Sequence, residues 1–211
     1  MANTLLLKFE APLQAWGERS NWDRRDTSDY PTKSGVVGLL GCALGISNGR
    51  ELSELSRKVE VGVRVDRQGR RLRDYQTIGA GYGKRMILTA EGKLKGSPNA
   101  PYNAVVEKYY LADAVFTVAV CGDDELIAEL GKAVQSPRWP VYLGRKCCVP
   151  SRPVFNGFGD FDDVIEALGG KREGDILAPC GPEEQGAFRR WDEVAHTKGV
   201  RSWNARYVKV V

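Results

Sequence analysis

Leu5, Leu7 and Phe9 alternate with Leu6, Lys8 and Glu10, a period of two that predicts a half-buried strand. Pro12-Leu-Gln-Ala-Trp-Gly17 ends it, and a charged, polar loop follows. The period then changes. Val36, Val37, Leu39, Leu40, Ala43 and Leu44 make residues 31–46 apolar on nearly every side. That predicts a buried helix starting near Pro31, with Thr32 or Ser34 as its N-cap. Gly35, Gly38, Gly41 and Gly45 interrupt it, although an interior helical glycine costs about 1 kcal/mol against alanine. Their spacing predicts either close approach of another backbone or tight packing on the sheet beneath.

Further along, residues 51–57 predict a short helix. Val59, Val61, Val63 and Val65 alternate with polar residues as a second strand. Leu72-Arg-Asp-Tyr-Gln-Thr77 leads away from it, and residues 78–108 are poor in core formers. So long an insertion is a solvated loop or a functional arm. Residues 111–120 are apolar on both faces and predict a central strand. Residues 123–134 predict an amphipathic helix with its acids in the first turn, where the helix dipole favours them. Residues 158–168 predict another helix, 170–200 look irregular, and 206–211 predict a closing strand. The order is that of an α+β, ferredoxin-like (RRM-like) βαββαβ domain with an arm between its middle strands. The expected division is 1–155 for this body, with the arm at about 78–108, and 156–211 for a smaller C-terminal extension completing the sheet.

A chain of 211 residues suits one domain, or one domain with an appendage. No apolar run approaches the roughly 20 residues needed to cross a bilayer, and the start carries no signal-peptide pattern, so a cytoplasmic protein away from membranes is expected. Five cysteines without a Cys-x-x-Cys pair and a single histidine, His196, offer no zinc set. No metal or other cofactor is expected. Cys147 and Cys148 read as structural thiols, which a strand would point to opposite faces.

The net charge of +4 is mild, so a nucleic-acid role has to come from local clustering. Arg67, Arg70, Arg71 and Arg73 form one basic cluster, and Arg138, Arg145, Lys146 and Arg152 another. Within 80–108, Lys84, Arg85, Lys93, Lys95 and Lys108 outnumber Glu91 and Glu107. Trp16, Trp22, Tyr75, Tyr82, Tyr109, Trp139 and Tyr142 lie beside these segments. Single-stranded RNA is gripped by such pairing of cations and stacking faces. The amides of Lys33, Ser34 and Gly35 open the first helix and could hold an anion. Thr32-Lys-Ser-Gly35 is no P-loop, because Tyr30 and Pro31 stand where the phosphate-curling glycines belong.

Residues 5–17 and Pro31-Thr-Lys-Ser-Gly-Val-Val-Gly-Leu-Leu-Gly41 resemble the CRISPR-associated CasD family. Leu72-Arg-Asp-Tyr-Gln-Thr77, Tyr110-Leu-Ala-Asp-Ala-Val-Phe-Thr-Val-Ala119 and Tyr142-Leu-Gly-Arg-Lys-Cys147 are similar to its later motifs, in the same order, and most like its type I-E branch. The resemblance implies a repeat-associated RNA-binding fold and a non-catalytic role. Such a subunit of a type I Cascade complex caps the 5′ handle of crRNA, with a thumb at the place of the arm. Its implied neighbours are a backbone subunit and a large subunit, with target DNA met through the complex. The candidate RNA contacts are Gln14, Lys33, Ser34, Gly35, Arg73, Tyr75, Gln76, Lys84, Arg85, Arg145 and Lys146. Relatives in the type I-C branch imply an alternative, a metal-independent endoribonuclease that processes precursor crRNA. Lys108, Tyr109 and Tyr110 are the local candidates for that chemistry, without the histidine that the nuclease branch carries beside its lysine.

Overall fold

The computed structural model describes residues 2–79, 87–97, 100–170, 175–197 and 199–211. The fold is mixed α+β. Strand β1 (Thr4–Glu10) is followed by two short strands, β2 (Leu13–Gln14) and β3 (Arg24–Arg25), and helices α1 (Lys33–Leu44) and α2 (Gly49–Lys58). Next come β4 (Glu60–Arg67), β5 (Arg70–Ile78), the two-residue β6 (Gly96–Ser97) and β7 (Ala100–Pro101), β8 (Ala104–Ala112), β9 (Val115–Cys121) and α3 (Asp124–Gln135). The chain ends with β10 (Phe155–Gly159), the single turn α4 (Val164–Ala167), β11 (Ile176–Pro179), β12 (Phe188–Thr197) and β13 (Val200–Val210). A seven-stranded antiparallel sheet runs β10-β1-β9-β4-β11-β13-β12. In a second sheet β8 is central, with β5 on one edge and β2 and β3 on the other.

Both faces of the large sheet are covered. Leu5, Leu7 and Phe9 of β1 and Phe116, Val118 and Val120 of β9 pack with Val36, Val37 and Leu40 of α1 and Ile127, Leu130 and Val134 of α3. On the reverse face Ala119 lies in a smaller apolar cluster with Val164, Ala167 and Leu168 around α4, and with Ile176 and Ala178 of β11. Gly62 lets them come close, since a Cβ there would run into Val164 and Leu168.

Helix α1 begins as expected. Thr32 Oγ1 accepts the Gly35 N–H at 3.1 Å, and the helix closes on Gly45 at φ 78° with the Ile46 N–H on Gly41 O at 2.8 Å, a Schellman ending. Its glycines are answered by side chains rather than by another backbone. A Cβ at Gly35 would meet the Trp16 ring and one at Gly41 would meet Leu52, while Gly38 faces open space.

Four expectations are corrected. Residues 111–120 are not one strand, because Asp113 turns the chain at φ 57° and separates β8 from β9. The expected bounds 78–108 cut across a paired hairpin, since β5 and β8 pair continuously from Arg70↔Ala112 to Ile78↔Ala104. The helix expected over 158–168 is reduced to α4 at Val164–Ala167, and residues 155–159 form an edge strand instead; pairing with the free edge of β1 outweighs any propensity in a segment holding two glycines. Residues 170–200 contain β11 and β12. Strand β12 hides its period because it buries Arg190 and Asp192 while exposing Trp191.

Candidate nucleic-acid interface

The start of α1 already holds an anion, and it belongs to the chain itself. The Lys33 N–H donates to Asp192 Oδ2 at 2.8 Å. Arg206 donates to the same carboxylate through Nε at 2.7 Å and Nη2 at 3.0 Å, with Arg190 Nε at 3.9 Å. Burial pushes the Asp192 carboxyl up, but Arg206, Arg190 and the Lys33 amide outweigh it and hold the group below the usual carboxylate range. Lys33 Nζ is bound to Glu193 Oε1 at 2.7 Å, and the Gly35 N–H is taken by Thr32. Ser34 and Gly35 border an open groove.

Gln14 and Arg145 serve the architecture. Gln14 is fully buried. Its Nε2 donates to Ala114 O at 2.8 Å and to Phe9 O at 3.3 Å, and its Oε1 accepts from Trp16 Nε1 at 3.2 Å. Arg145 donates to Tyr109 O at 3.0 Å, Arg25 O at 2.8 Å and Asp26 O at 3.1 Å. Its guanidinium stands 4.6 Å from the centre of the Tyr110 ring. It therefore staples the loop after β3 to β8. Lys146, next to it, is exposed. Cys147 and Cys148 lie in this turn rather than a strand, and burial together with Cys147 pushes the Cys148 thiol up to about 11. Gly144, at φ 95°, passes so close to Ala15 that a Cβ would overlap its carbonyl oxygen. Gly144→Ala is expected to destabilise the protein by roughly 2 kcal/mol or more, read as a lowered melting temperature.

The second sheet brings together what the sequence scattered. Arg73 faces Tyr109, and Tyr75 faces Glu107 across the β5–β8 pair, while Arg24 lies beside Glu107 from β3. Directly opposed and alternate residues share a face. Arg24 lies 5.5 Å from the centre of the Tyr109 ring, and Arg73 lies 5.5 Å from that of Tyr75. Glu107 pairs with Arg73 and accepts the Tyr109 hydroxyl at 2.9 Å. Tyr109 first, and Arg73 with it, holds the Glu107 carboxyl below its ordinary range. Tyr75 is 56% exposed, so its ring can receive a base. Nearer the tip, Lys95 Nζ sits 3.9 Å from the Tyr102 ring centre and 5.5 Å from that of Trp22.

Other candidates separate. Gln76 points to the opposite face of β5 from Arg73 and Tyr75, and its Nε2 donates to Asp74 at 2.6 Å. Lys108 and Tyr109 are neighbours on β8 and face opposite sides. Tyr110 is buried, with its hydroxyl 3.7 Å from Cys147 Sγ. Lys84 and Arg85, with Tyr82, lie outside the described residues. Among the described residues no group of three His, Cys, Asp or Glu side chains is placed to hold a metal ion, and no helix is long and apolar enough to cross a membrane.

A groove of about 890 Å³ adjoins the start of α1, with Ser34, Gly35 and Gly38 on one side and Trp191, Arg201 and Trp203 of the β12–β13 hairpin on the other. Trp191 and Trp203 are 52% and 49% exposed, and Arg189 and Arg201 lie 5.2 and 5.7 Å from their ring centres. The sequence reading passed over these four residues. The signal was there in Arg189-Arg-Trp191 and Arg201-Ser-Trp203, each a cation two positions from an indole.

The large sheet of this α+β body is covered on both faces, and the β5–β8 hairpin carries a cation–aromatic face. A family profile described as CRISPR-associated protein (Cas_Cas5) matches residues 4–196. The chain is 36% identical over 182 residues to the CRISPR system Cascade subunit CasD of Escherichia coli K12, covering 80% of this chain and 76% of that relative. Among solved structures, a chain of a CRISPR RNA-guided surveillance complex superposes with a TM-score of 0.80 at 32% identity, over 99% of this chain and 89% of its own length. A crystal structure of a Cas protein does so with a TM-score of 0.70 at 34% identity, over 99% and 93%. The chain belongs to the CRISPR-associated Cas5 family.

Proposed function

We propose that this protein is a non-catalytic RNA-binding subunit of a type I CRISPR surveillance complex, and that it holds the 5′ handle of the guide RNA. The observation that carries this reading is the exposed face formed by Arg24, Arg73, Tyr75 and Tyr109. Cations there meet phosphates and rings there stack bases, the combination that grips single-stranded RNA. The reverse of the large sheet, the platform RRM-type domains use, is covered by α4, which packs on Ala119 of β9 and on Ile176 and Ala178 of β11, so the second sheet is the better candidate surface. The strand order β10-β1-β9-β4, with α1 and α3 on one side, supports reading the body as ferredoxin-like βαββαβ. The β5–β8 hairpin then serves as the thumb and the residues from 156 onward as an extension. A backbone subunit and the large subunit would be its neighbours, and target DNA would be met through the assembled complex in the cytoplasm.

The test is fluorescence anisotropy with a labelled handle oligoribonucleotide across a salt series. Affinity should fall steeply with salt, since each neutralised phosphate of a single strand contributes a slope of about 0.7. Absent or salt-independent binding would refute the reading. The nuclease alternative requires Lys108 and Tyr109 to act together, and their opposite directions on β8 speak against it. Site-specific cleavage of repeat RNA in EDTA, lost in Lys108→Ala, would establish it instead.

A further inference from the structure

The groove between α1 and the β12–β13 hairpin is not explained by the arm. Its volume, about 890 Å³, falls within the roughly 300–1,000 Å³ of clefts that bury small ligands. It has room for bases but not for a duplex. Two indoles, each about half exposed, stand on one wall. Two half-exposed indoles lining one groove offer flat apolar faces that a planar ring can stack on. Each also carries a guanidinium near one ring face, which leaves the other face available.

The opposite wall, Thr32, Ser34, Gly35, Gly38, Leu39 and Cys42, holds small residues apart from Leu39. Gly38 has open space where a side chain would stand, so the glycine spacing of α1 hollows the groove while Gly35 and Gly41 admit Trp16 and Leu52. The charge of the lining is one-sided. Arg19 and Arg201 are exposed, whereas Glu18, the acid in the lining, is bound to Arg190 at 3.2 Å. Such a cleft favours an anionic chain with flat faces over an acid-accepting peptide.

We infer that this groove is a nucleobase clamp. It takes one or two unpaired bases of a single-stranded RNA on Trp191 and Trp203, with Arg201 and Arg189 meeting the adjoining phosphates. The inference rests on the RNA-binding reading above and adds a second contact to it, on the C-terminal hairpin rather than on the arm. Asp192 fixes the hairpin against the start of α1, so the two walls are held at a set separation.

The experiment uses the full chain and handle oligoribonucleotides carrying 2-aminopurine at one position at a time. Stacking on an indole should quench the probe at one or two positions. Trp191→Ala with Trp203→Ala should abolish that quenching and weaken binding roughly tenfold or more. Trp191→Phe with Trp203→Phe should retain most of both, and the Leu pair should not, which separates ring stacking from apolar packing. Circular dichroism and melting confirm that the variants are folded. RNA binding with quenching unchanged in the Ala and Leu pairs overturns the clamp alone. So does loss of co-purification with other complex subunits at unchanged RNA affinity, which would make the groove a protein-docking site. Failure of the unaltered chain to bind the handle overturns both readings.

Discussion

Replacing Arg24 and Arg73 together by glutamate is expected to weaken binding of a handle oligoribonucleotide on the order of 100-fold near 0.1 M salt, and to reduce the salt slope by about 1.4. Both side chains stand on the same face of the second sheet beside Tyr75 and Tyr109. Reversal removes two cations and brings two more carboxylates beside Glu107. Arg24 is exposed, and the Arg73 side chain is 54% exposed, so the melting temperature should barely move. Filter binding or anisotropy at several salt concentrations checks it. An unchanged slope would mean that phosphates do not lie on this face. Lys146→Glu should act in the same direction with a smaller effect, because that side chain is exposed and sits just past the Arg145 staple.

Asp192→Asn is expected to be among the most damaging single substitutions to stability. It leaves Arg206, Arg190 and the start of α1 facing a neutral group in a buried setting. Breaking one side of such a network costs about 3–5 kcal/mol, or a melting temperature lower by about 10 °C in a protein of this size. The pH dependence has a definite sign. Burial raises the Asp192 carboxyl, but its basic partners win and the folded-state value lies below the ordinary one. Its contribution is therefore fully present above about pH 4, the unfolded value, and is lost as pH falls through the folded value. Urea midpoints of the parent and Asp192→Asn should differ widely at pH 7 and converge as the pH drops below about 4. A constant gap would show that the carboxylate charge is not what matters.

What the sequence revealed followed from local causes. Thr32 and Gly45 mark the ends of α1, and the alternation Val59 to Val65 announces β4. Those signals need no knowledge of the rest of the chain. The failures came where distant partners decide. Lys33 and Gly35 open a helix that could hold an external anion, yet the anion is Asp192, 159 positions away. Gln14 reads as a surface contact within its motif, but its amide is consumed by the carbonyls of Phe9 in β1 and of Ala114 just before β9. Arg145 reads as a phosphate ligand, but three backbone carbonyls take its guanidinium. In β12 the inward positions are Arg190 and Asp192, so a search for apolar periodicity finds nothing there. Arg73 and Tyr75 share a face because both lie on β5, where period-2 spacing guarantees it. Trp191 and Trp203 required the hairpin register to be known before they could be joined.

The link between Asp192 and the first helix also bears on how the chain matures. A ribosome emits residues 33–44 long before the carboxylate that secures their leading turn exists. Until that late strand emerges, the nascent helix has exposed amides, and Lys33 lacks its counter-ion. Contacts of such long sequence separation form slowly, and incomplete intermediates expose apolar surface. Chains released short of residue 192 should therefore be poorly folded and removed by proteases.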